Sequence, residues 1–292
     1  FPAIFFGITR KATKTLRGYF MKLAISTLGC TDLGLEKIVS EYKEIGIGAI
    51  EVRGIGGIMD NGKIPCFFPE NEKDTKKLFE TNGVFIICLD TGASFDTPEN
   101  ARKGIDDGKA AIEICRRFGI PYIRVFGNAL PDGDEKAREK TAELISGSIG
   151  ELCAYVCGTG IKVLLETHGN ICTVENIRPI IERIGTNPNF GLIWDVAHSD
   201  RYYGDDFEPF YEYIKPYICH IHFKDHFRLP NHENRLTDIG EGEIPLSKIV
   251  GLLKRDGYDG YISFEHEKKW HPKLSEHEAA FAKFVTYMKQ FE

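Results

Sequence analysis

From Met21 onward, short apolar runs rich in β-branched residues alternate with longer amphipathic runs, and this alternation repeats eight times. Short, almost wholly apolar runs are typical of parallel strands that are buried on both faces. Most amphipathic runs end in glycine just before the next strand, which is a common end signal of a helix. The predicted strands are 22–27, 48–53, 84–90, 122–127, 162–167, 191–196, 219–224 and 261–266. Eight such units predict an α/β fold, a closed (β/α)8 or TIM barrel with the helices outside.

The barrel accounts for residues 21–292 as a single domain, because no Pro-rich or Ser-rich linker separates the eight units. An open, doubly wound sheet is the alternative, but the first strand is followed by LGCTDLG and not by a phosphate-binding GxGxxG motif. Residues 1–20 precede a natural start at Met21, so we interpret them as an N-terminal extension, either upstream sequence or an artificial addition. A genuine arm that packs on a neighbour is the alternative.

The charge balance argues against a nucleic-acid partner. Four basic residues and no acidic residue lie in the extension, so from Met21 onward 33 basic residues face 43 acidic ones, a balance of −10. This sign is wrong for a surface that neutralises phosphates. A small-molecule sugar or polyol substrate fits better.

The cysteines and the apolar runs bear on location. Eight scattered cysteines form no CxxC motif, which favours free thiols in a reducing compartment. No apolar run approaches the roughly 18 to 20 residues that span a bilayer. We therefore expect a cytoplasmic protein with no membrane partner.

Acidic and imidazole side chains collect at the ends of the last four predicted strands, which meet at the mouth of such a barrel. The fifth strand ends in Glu166, the sixth in Asp195 and the eighth in Glu265, while the seventh carries His222 near its end. Taken singly, each is more often a capping group or a core histidine. Together, three carboxylates and one imidazole resist burial unless a cation neutralises them. The set predicts one divalent metal ion, Mn²⁺, Mg²⁺ or Co²⁺, with Zn²⁺ as the alternative.

Four short motifs resemble those of a known family: LLETHG at 164–169, WDVAH at 194–198, HIHFKD at 220–225 and SFEHE at 263–267. In this order and spacing, the chain from Met21 resembles the xylose isomerase-like TIM-barrel superfamily, which contains sugar isomerases, ketose 3-epimerases, inosose dehydratases and endonuclease IV. The resemblance implies that the four strand-end residues are the metal ligands. It also implies that His198 and Arg228 bind the substrate.

The sequence departs from the ketose epimerases after two of the ligands. Those enzymes have Pro-Leu-Asn after the first glutamate and Pro after the last, whereas this chain has Thr167-His168-Gly169 and His266-Glu267. His168 and Glu267 lie two residues beyond a ligand on the same face, so we expect them to line the pocket. Solvated loop residues are the alternative reading. The departure leaves the substrate open.

Proton transfer next to a carbonyl is the chemistry that this site suits. We predict a metal-dependent isomerase or epimerase for a ketose, an aldose or a related polyol carbonyl, in which Glu166 and Glu265 exchange the proton through an enediolate. The alternative is a lyase of the inosose dehydratase type, with His168, Lys224 and His226 as candidate substrate-contacting donors to the leaving hydroxyl. An endonuclease IV-like phosphodiesterase is disfavoured because no histidine lies between Met21 and His168. A non-catalytic binding protein is the remaining alternative.

The basic residues and the tryptophan near the last two predicted strands give little information about the substrate. No cluster of basic residues follows these strands apart from Lys224, Arg228, Lys268 and Lys269, so a sugar phosphate is not indicated. Trp270 is predicted either to form an aromatic wall over the mouth or to pack under the last helix. The family resemblance further implies a homo-oligomer, a dimer or a tetramer.

Overall fold

The computed structural model describes residues 21–292, which form the predicted closed parallel barrel. The barrel strands are β1 (Lys22–Ser26), β2 (Ala49–Val52), β3 (Phe85–Ser94), β4 (Tyr122–Phe126), β5 (Lys162–Glu166), β6 (Phe190–Asp195), β7 (Ile218–Phe223) and β10 (Tyr261–Phe264), and a hairpin of β8 (Asp225–Arg228) and β9 (Asn234–Thr237) follows β7. Around the barrel the order is β1, β10, β7, β6, β5, β4, β3 and β2. The predicted extension, residues 1–20, lies outside the described residues.

Helices lie between the strands, as the amphipathic runs predict. They are α1 (Leu35–Glu44), α2 (Glu72–Asn82), α3 (Pro98–Phe118), α4 (Glu135–Tyr155), α5 (Val174–Ile184), α6 (Val196–Tyr203), α7 (Glu208–Ile214), α8 (Leu246–Arg255) and α9 (His277–Lys289). Gly83 after α2 and Gly119 after α3 adopt the left-handed conformation that ends a helix. Between residues 21 and 292, no helix has both the length and the apolar character needed to cross a membrane.

Side-chain alternation decides which residues reach the barrel interior. Leu164 of β5 and Ile193 of β6 share a small apolar cluster with Ala24 of β1, separate from the larger core. Glu166 and Asp195 lie two residues further along the same strands, so they face the same interior. The apolar cluster therefore fills the lower part of the barrel, and the polar groups begin towards its mouth.

The hairpin of β8 and β9 is the main departure from the predicted pattern. Its strands pair antiparallel directly after β7. The carboxylate of Asp225 anchors the following segment by accepting hydrogen bonds from the backbone N–H groups of Gly240 and Gly242, both at 2.9 Å, and of Ile244 at 3.3 Å. This anchor holds the hairpin against the segment that leads to α8.

The backbone at Gly169, in the loop after β5, leaves no room for a side chain. Its φ is +63°, and an added Cβ would lie 2.1 Å from the carbonyl oxygen of Asn128. We expect Gly169→Ala to lower the free energy of unfolding by at least about 2 kcal/mol, because left-handed backbone and overpacking each cost roughly 1 kcal/mol or more. Urea denaturation measures the loss.

The matched control is Gly133→Ala, where φ is +74° and an added Cβ meets nothing within 4 Å. It should lose only the conformational part, about 1 kcal/mol. Equal losses in the two variants would show that the close approach of Asn128 is unimportant.

Candidate metal centre

The four predicted ligands meet at the mouth of the barrel. Glu166 and Asp195 are the last residues of β5 and β6, His222 lies near the end of β7, and Glu265 directly follows β10. His222 is level with Asp195 on one side and with Ser263 on the other. One ligand atom from each of the four lies within 4.8 Å of the others, and all four residues are buried.

His222 lies at the centre of the four. Its Nδ1 is 3.4 Å from Glu166 Oε1, 3.9 Å from Asp195 Oδ2 and 3.3 Å from Glu265 Oε2. This buried nitrogen makes no hydrogen bond within the described chain. An unpaired buried polar atom calls for a partner, and three carboxylates around an imidazole nitrogen form a donor set that suits a divalent cation. The residues present therefore fit a metal ion.

The local sequence orients Asp195. Its Oδ1 accepts hydrogen bonds from the backbone N–H groups of Ala197 at 2.8 Å and His198 at 3.0 Å, so Asp195 is the N-cap of α6. Its Oδ2 lies 2.9 Å from Lys224 Nζ but outside hydrogen-bond geometry. The turn from strand to helix thus leaves one carboxylate oxygen for a ligand.

A buried glutamate on β2, Glu51, fixes the imidazole of His222. Its Oε1 lies 2.5 Å from His222 Nε2, and its Oε2 lies 2.8 Å from His220 Nε2. Because an ionised carboxylate only accepts hydrogen bonds, both Nε2 atoms donate, and a neutral His222 then offers the lone pair of Nδ1. Carboxylates of this kind commonly support histidines that bind metals.

Two cations share the site with the buried carboxylates. Arg124 Nη1 donates to Glu166 Oε2 at 2.8 Å and lies 3.8 Å from Glu265 Oε1. Lys224 Nζ contacts Glu265 from the other side. The buried carboxylates around them are those of Glu51, Glu166, Asp195 and Glu265. Four negative charges against two positive ones leave an excess that one divalent ion would balance.

The pKa shifts describe the same imbalance. Burial alone would lower the pKa of His222, but attraction to Glu265 and Glu51 raises it well above its usual value. Burial and repulsion from Glu51 raise the pKa of Asp90, another buried carboxyl, well above its usual value. Positive charge is therefore strongly favoured at His222 Nδ1, where either a proton or a metal ion supplies it.

His168 and His198 lie side by side near the ligands. Their ring centroids are 4.1 Å apart, and Phe126 packs edge-on against His168 at 4.9 Å. The Nδ1 atoms of both histidines are buried and make no hydrogen bond within residues 21–292. Burial and the neighbouring His168 lower the pKa of His198 well below its usual value. A neutral imidazole at this position can both donate and accept hydrogen bonds.

Lys224 and Glu267 are joined to each other and to the metal centre. Lys224 Nζ donates to Glu267 Oε1 at 2.7 Å and also contacts Glu265. Burial would lower the pKa of Lys224, but Asp195 and Glu265 raise it well above its usual value. The structure therefore holds a charged ammonium between two of the predicted ligands.

Arg228 and His226 are bound to Asp200. Arg228 donates from Nε to Asp200 Oδ2 at 2.9 Å and from Nη2 to Oδ1 at 2.8 Å. His226 Nε2 lies 2.8 Å from the same carboxylate, and its Nδ1 lies 3.0 Å from Asn234 Nδ2. Both side chains thus have protein partners in this structure. Substrate binding by Arg228 stays a prediction.

The remaining basic residues near β10 also have partners. Lys268 Nζ donates to the carbonyl oxygens of Pro272 at 3.0 Å and Leu274 at 2.6 Å. Lys269 Nζ lies 3.4 Å from Asp32 Oδ1. Both lysines therefore have protein partners in this structure.

Trp270 is 54% exposed, so it does not pack under the last helix. It lines a surface groove together with Phe227 and Leu236 of the hairpin. The other predicted position of Trp270, as an aromatic wall over the mouth, stays a prediction.

The site also contains charged residues that sequence reasoning missed. Glu51, Asp90 and Arg124 are buried in the first half of the barrel. They belong to the predicted strands GAIEVR, VFIICLD and YIRVFG, which are otherwise mostly apolar. A charge within a buried strand is the signal that could have found them, because a buried charge needs a partner.

The comparisons with known proteins identify the family to which the chain belongs. The chain belongs to the xylose isomerase-like TIM-barrel family, whose model matches residues 39–285. The resemblance inferred from the four motifs is therefore confirmed. A curated relative, the inosose isomerase of Halalkalibacterium halodurans, is 27% identical over 256 residues, which cover 84% of this chain and 87% of the relative.

Two solved structures share the fold. The IolI protein with a bound zinc atom has a TM-score of 0.73 and 20% identity, and the match covers 93% of this chain and 99% of IolI. The probable 3-DHS dehydratase AsbF of Bacillus anthracis, involved in petrobactin synthesis, has a TM-score of 0.71 and 19% identity, with 92% and 98% covered. At these identities the likeness establishes the fold alone.

We expect Glu51→Gln to weaken binding of Mn²⁺ about 10- to 100-fold, because the substitution removes the charge that orients His222. Calorimetric titration measures the affinity, and circular dichroism checks that the variant folds. The matched control is Glu41→Gln, which alters a glutamate at 2.9 Å from His277 Nε2 on the outer helices. Unchanged Mn²⁺ affinity in Glu51→Gln would show that Glu51 does not support the ligand.

Proposed function

We propose that this chain is a divalent-metal-dependent sugar isomerase or epimerase that moves a proton next to the carbonyl of a ketose, an aldose or a related polyol. The observation that carries the proposal is the placement of Glu166 and Glu265, whose oxygens lie 3.4 and 3.3 Å from His222 Nδ1. Two carboxylates beside one cation site suit a reaction in which a base removes a proton and an acid returns it. The relative named an inosose isomerase supports this class of activity.

Glu166, Asp195, His222 and Glu265 would hold the ion. Their oxygen-rich donor set suits Mn²⁺, Mg²⁺ or Co²⁺. Zn²⁺ is the alternative, and the IolI structure contains it. When bound, such an ion polarises a carbonyl and stabilises negative charge on the adjacent oxygens of an enediolate.

The two glutamates differ in what holds them. Glu166 accepts a hydrogen bond from Arg124, which also donates to the carbonyl oxygen of Thr91 at 3.0 Å. Because a guanidinium stays charged, Glu166 is held ionised, as a base requires. Glu265 is held by Lys224, whose raised pKa keeps it a charged ammonium. Each glutamate therefore has a cation beside it, and the two are equivalent candidates for the first base.

His168 and His198 are suited to orienting the substrate. Each has a buried Nδ1 that makes no hydrogen bond within the described residues. Sugar hydroxyls both donate and accept hydrogen bonds, so an imidazole nitrogen can pair with them in either role. Their place beside Glu166 and Asp195 in the sequence puts them on the ligand side of the mouth.

We expect Glu265→Gln to slow solvent deuterium incorporation next to the substrate carbonyl by about 10²- to 10⁴-fold, because it removes a proton-transferring group. Mass spectrometry measures incorporation across a panel of ketoses, aldoses and keto-inositols at saturating Mn²⁺. The bound metal is measured in the same sample, so that loss of metal is not mistaken for loss of proton transfer.

The control for this experiment is Glu278→Gln, whose side chain is 66% exposed on α9. It should exchange deuterium at the wild-type rate. Wild-type exchange in the metal-loaded Glu265→Gln variant would exclude Glu265 from proton transfer.

A dehydratase is the second candidate function. The observation that favours it is Lys224, a buried ammonium that contacts Glu265 and Glu267 and lies 2.9 Å from Asp195 Oδ2. Such a group can protonate a departing hydroxyl after the first proton has been removed. The structural likeness to a probable dehydratase is compatible with this alternative.

The two candidates differ in the expected effect of Lys224→Gln. A dehydratase converts a keto-inositol into a conjugated product that absorbs ultraviolet light, and this variant should slow that step about 10²-fold or more while deuterium exchange continues. If the protein is an isomerase, neither the wild type nor the Lys224→Gln variant should produce this absorbance. Loss of water by the wild type without any epimerisation of ketoses would overturn the isomerase proposal.

A further inference from the structure

A cavity of about 270 Å³ lies between the segment that follows β2, residues 91–92 of β3, and helix α3. Its lining includes Arg53, Asn61, Gly92 and Lys103. None of them belongs to the predicted metal ligands. The cavity is small compared with pockets of roughly 300 to 1,000 Å³ that enclose whole ligands, so it suits one end of a substrate.

Arg53 is the unusual member of this lining. It is partly buried, and its guanidinium makes one long hydrogen bond, from Nη1 to the carbonyl oxygen of Met59 at 3.4 Å. No ion pair joins Arg53 to a carboxylate within residues 21–292. By contrast, Arg124 and Lys224 both have carboxylate partners. Arg53 therefore carries a charge that the protein leaves largely unpaired.

Arg53 has charged neighbours of both signs. Burial and repulsion from Arg124 lower the pKa of Arg53 to about 10, against weaker attraction to Asp90, Glu265 and Glu166. The side chain is still charged at neutral pH. A partly buried cation in these surroundings gains from a counter-ion.

The acidic groups of the cavity do not supply that counter-ion. Asp60 pairs with Lys63 at 3.0 Å, and Asp107 pairs with Lys103. Both acids are also substantially exposed. Arg53 is therefore the unbalanced charge among the lining residues that the structure describes.

Asn61 supplies a second recognition group. It is only 7% exposed, and its Nδ2 donates to the carbonyl oxygen of Asp90 at 2.9 Å. This bond assigns Oδ1 to the other side of the amide, where it is buried and makes no hydrogen bond within the described chain. An unpaired amide oxygen accepts a hydrogen bond from a hydroxyl.

Arg53 follows a strand that stands opposite part of the metal centre in the barrel. In the barrel order, β2 stands four strands from β6 in either direction, so Arg53 follows the strand opposite Asp195. The metal ligands come from β5, β6, β7 and the residue after β10. A substrate whose carbonyl lies at the metal centre would therefore extend towards Arg53.

We propose that this cavity binds the anionic end of the substrate, a terminal carboxylate or phosphate, with Arg53 as its counter-ion and Asn61 Oδ1 accepting from a neighbouring hydroxyl. The proposal rests on the proposed function for the other end of the molecule, the polyol carbonyl. It assigns the substrate to the acidic sugars or sugar phosphates. It also places the anion-binding group after β2, away from the basic residues near β7 and β10.

The test uses three compounds with one carbon skeleton: a ketose, its terminal phosphate ester and the keto acid with a terminal carboxylate. Calorimetry on the Mg²⁺-loaded protein measures their dissociation constants. We expect one of the anionic compounds to bind at least about tenfold more tightly than the neutral ketose, because hydrogen bonds to charged groups are the strong ones. The better of the two anions identifies the terminal group.

Two variants assign the preference to Arg53. Arg53→Gln should abolish it, and Arg53→Lys, which keeps the charge, should retain part of it. The matched control is Arg235→Gln, which removes an arginine stacked on Phe227 at 4.8 Å and should keep the full preference. Thermal melting of each variant checks folding.

Two results would overturn the proposal: equal binding of all three compounds by the wild type, or an anion preference that survives in Arg53→Gln. Failure of the proposed function is a separate result, because it appears as absent deuterium exchange with every compound. An Arg53-dependent preference without exchange would support the anion site and reject the isomerase. Deuterium exchange without any preference for an anionic compound would support the isomerase and reject the anion site.

Discussion

The surplus of negative charge around His222 is the constraint on which the rest of the site depends. Carboxylates that share a water-poor interior interact far more strongly than they would in solvent. The fold reduces this surplus with the guanidinium of Arg124 and the ammonium of Lys224, and burial beside Glu51 raises the pKa of Asp90. These groups come from different strands, so only a closed ring of strands can bring them together. A bound cation would balance the negative charge that remains.

The mouth has two unlike walls. On the side of β5, β6, β7 and β10, carboxylates surround one imidazole nitrogen. On the side of β2 and β4, Arg53 and Arg124 add positive charge next to Glu51 and Asp90, and Arg53 lacks a carboxylate partner in the described chain. This difference in charge between the two walls would orient a bound molecule, because an electron-poor carbonyl favours the carboxylate wall and an anionic end favours the arginine wall. Orientation of the substrate thus follows from the order of strands around the barrel.

Sequence patterns predict the barrel well because its strands are buried on both faces and its helices end in glycine. They also predict that the candidate ligands meet at the mouth, since Glu166 and Asp195 close apolar strands at the end where barrel sites lie. The same reasoning misses Glu51 and Arg124. A charged residue inside a strand can be assigned a role only when the residue that it pairs with is known, and that residue is distant in sequence. The hairpin after β7 is missed because its pairing is held by Asp225 and loop backbone, which leave no periodic signal.

The bridge that Glu51 forms between His220 and His222 bears on how such a centre can be transferred between proteins. Copying the four strand-end ligands into another barrel would reproduce the donor atoms but leave the imidazole free to rotate. The minimal transferable unit therefore includes β2, which supplies no predicted ligand. To build this centre on a new scaffold, a designer needs five strands in register. One of them, β2, contributes only the carboxylate of Glu51, which accepts a hydrogen bond from the His222 imidazole.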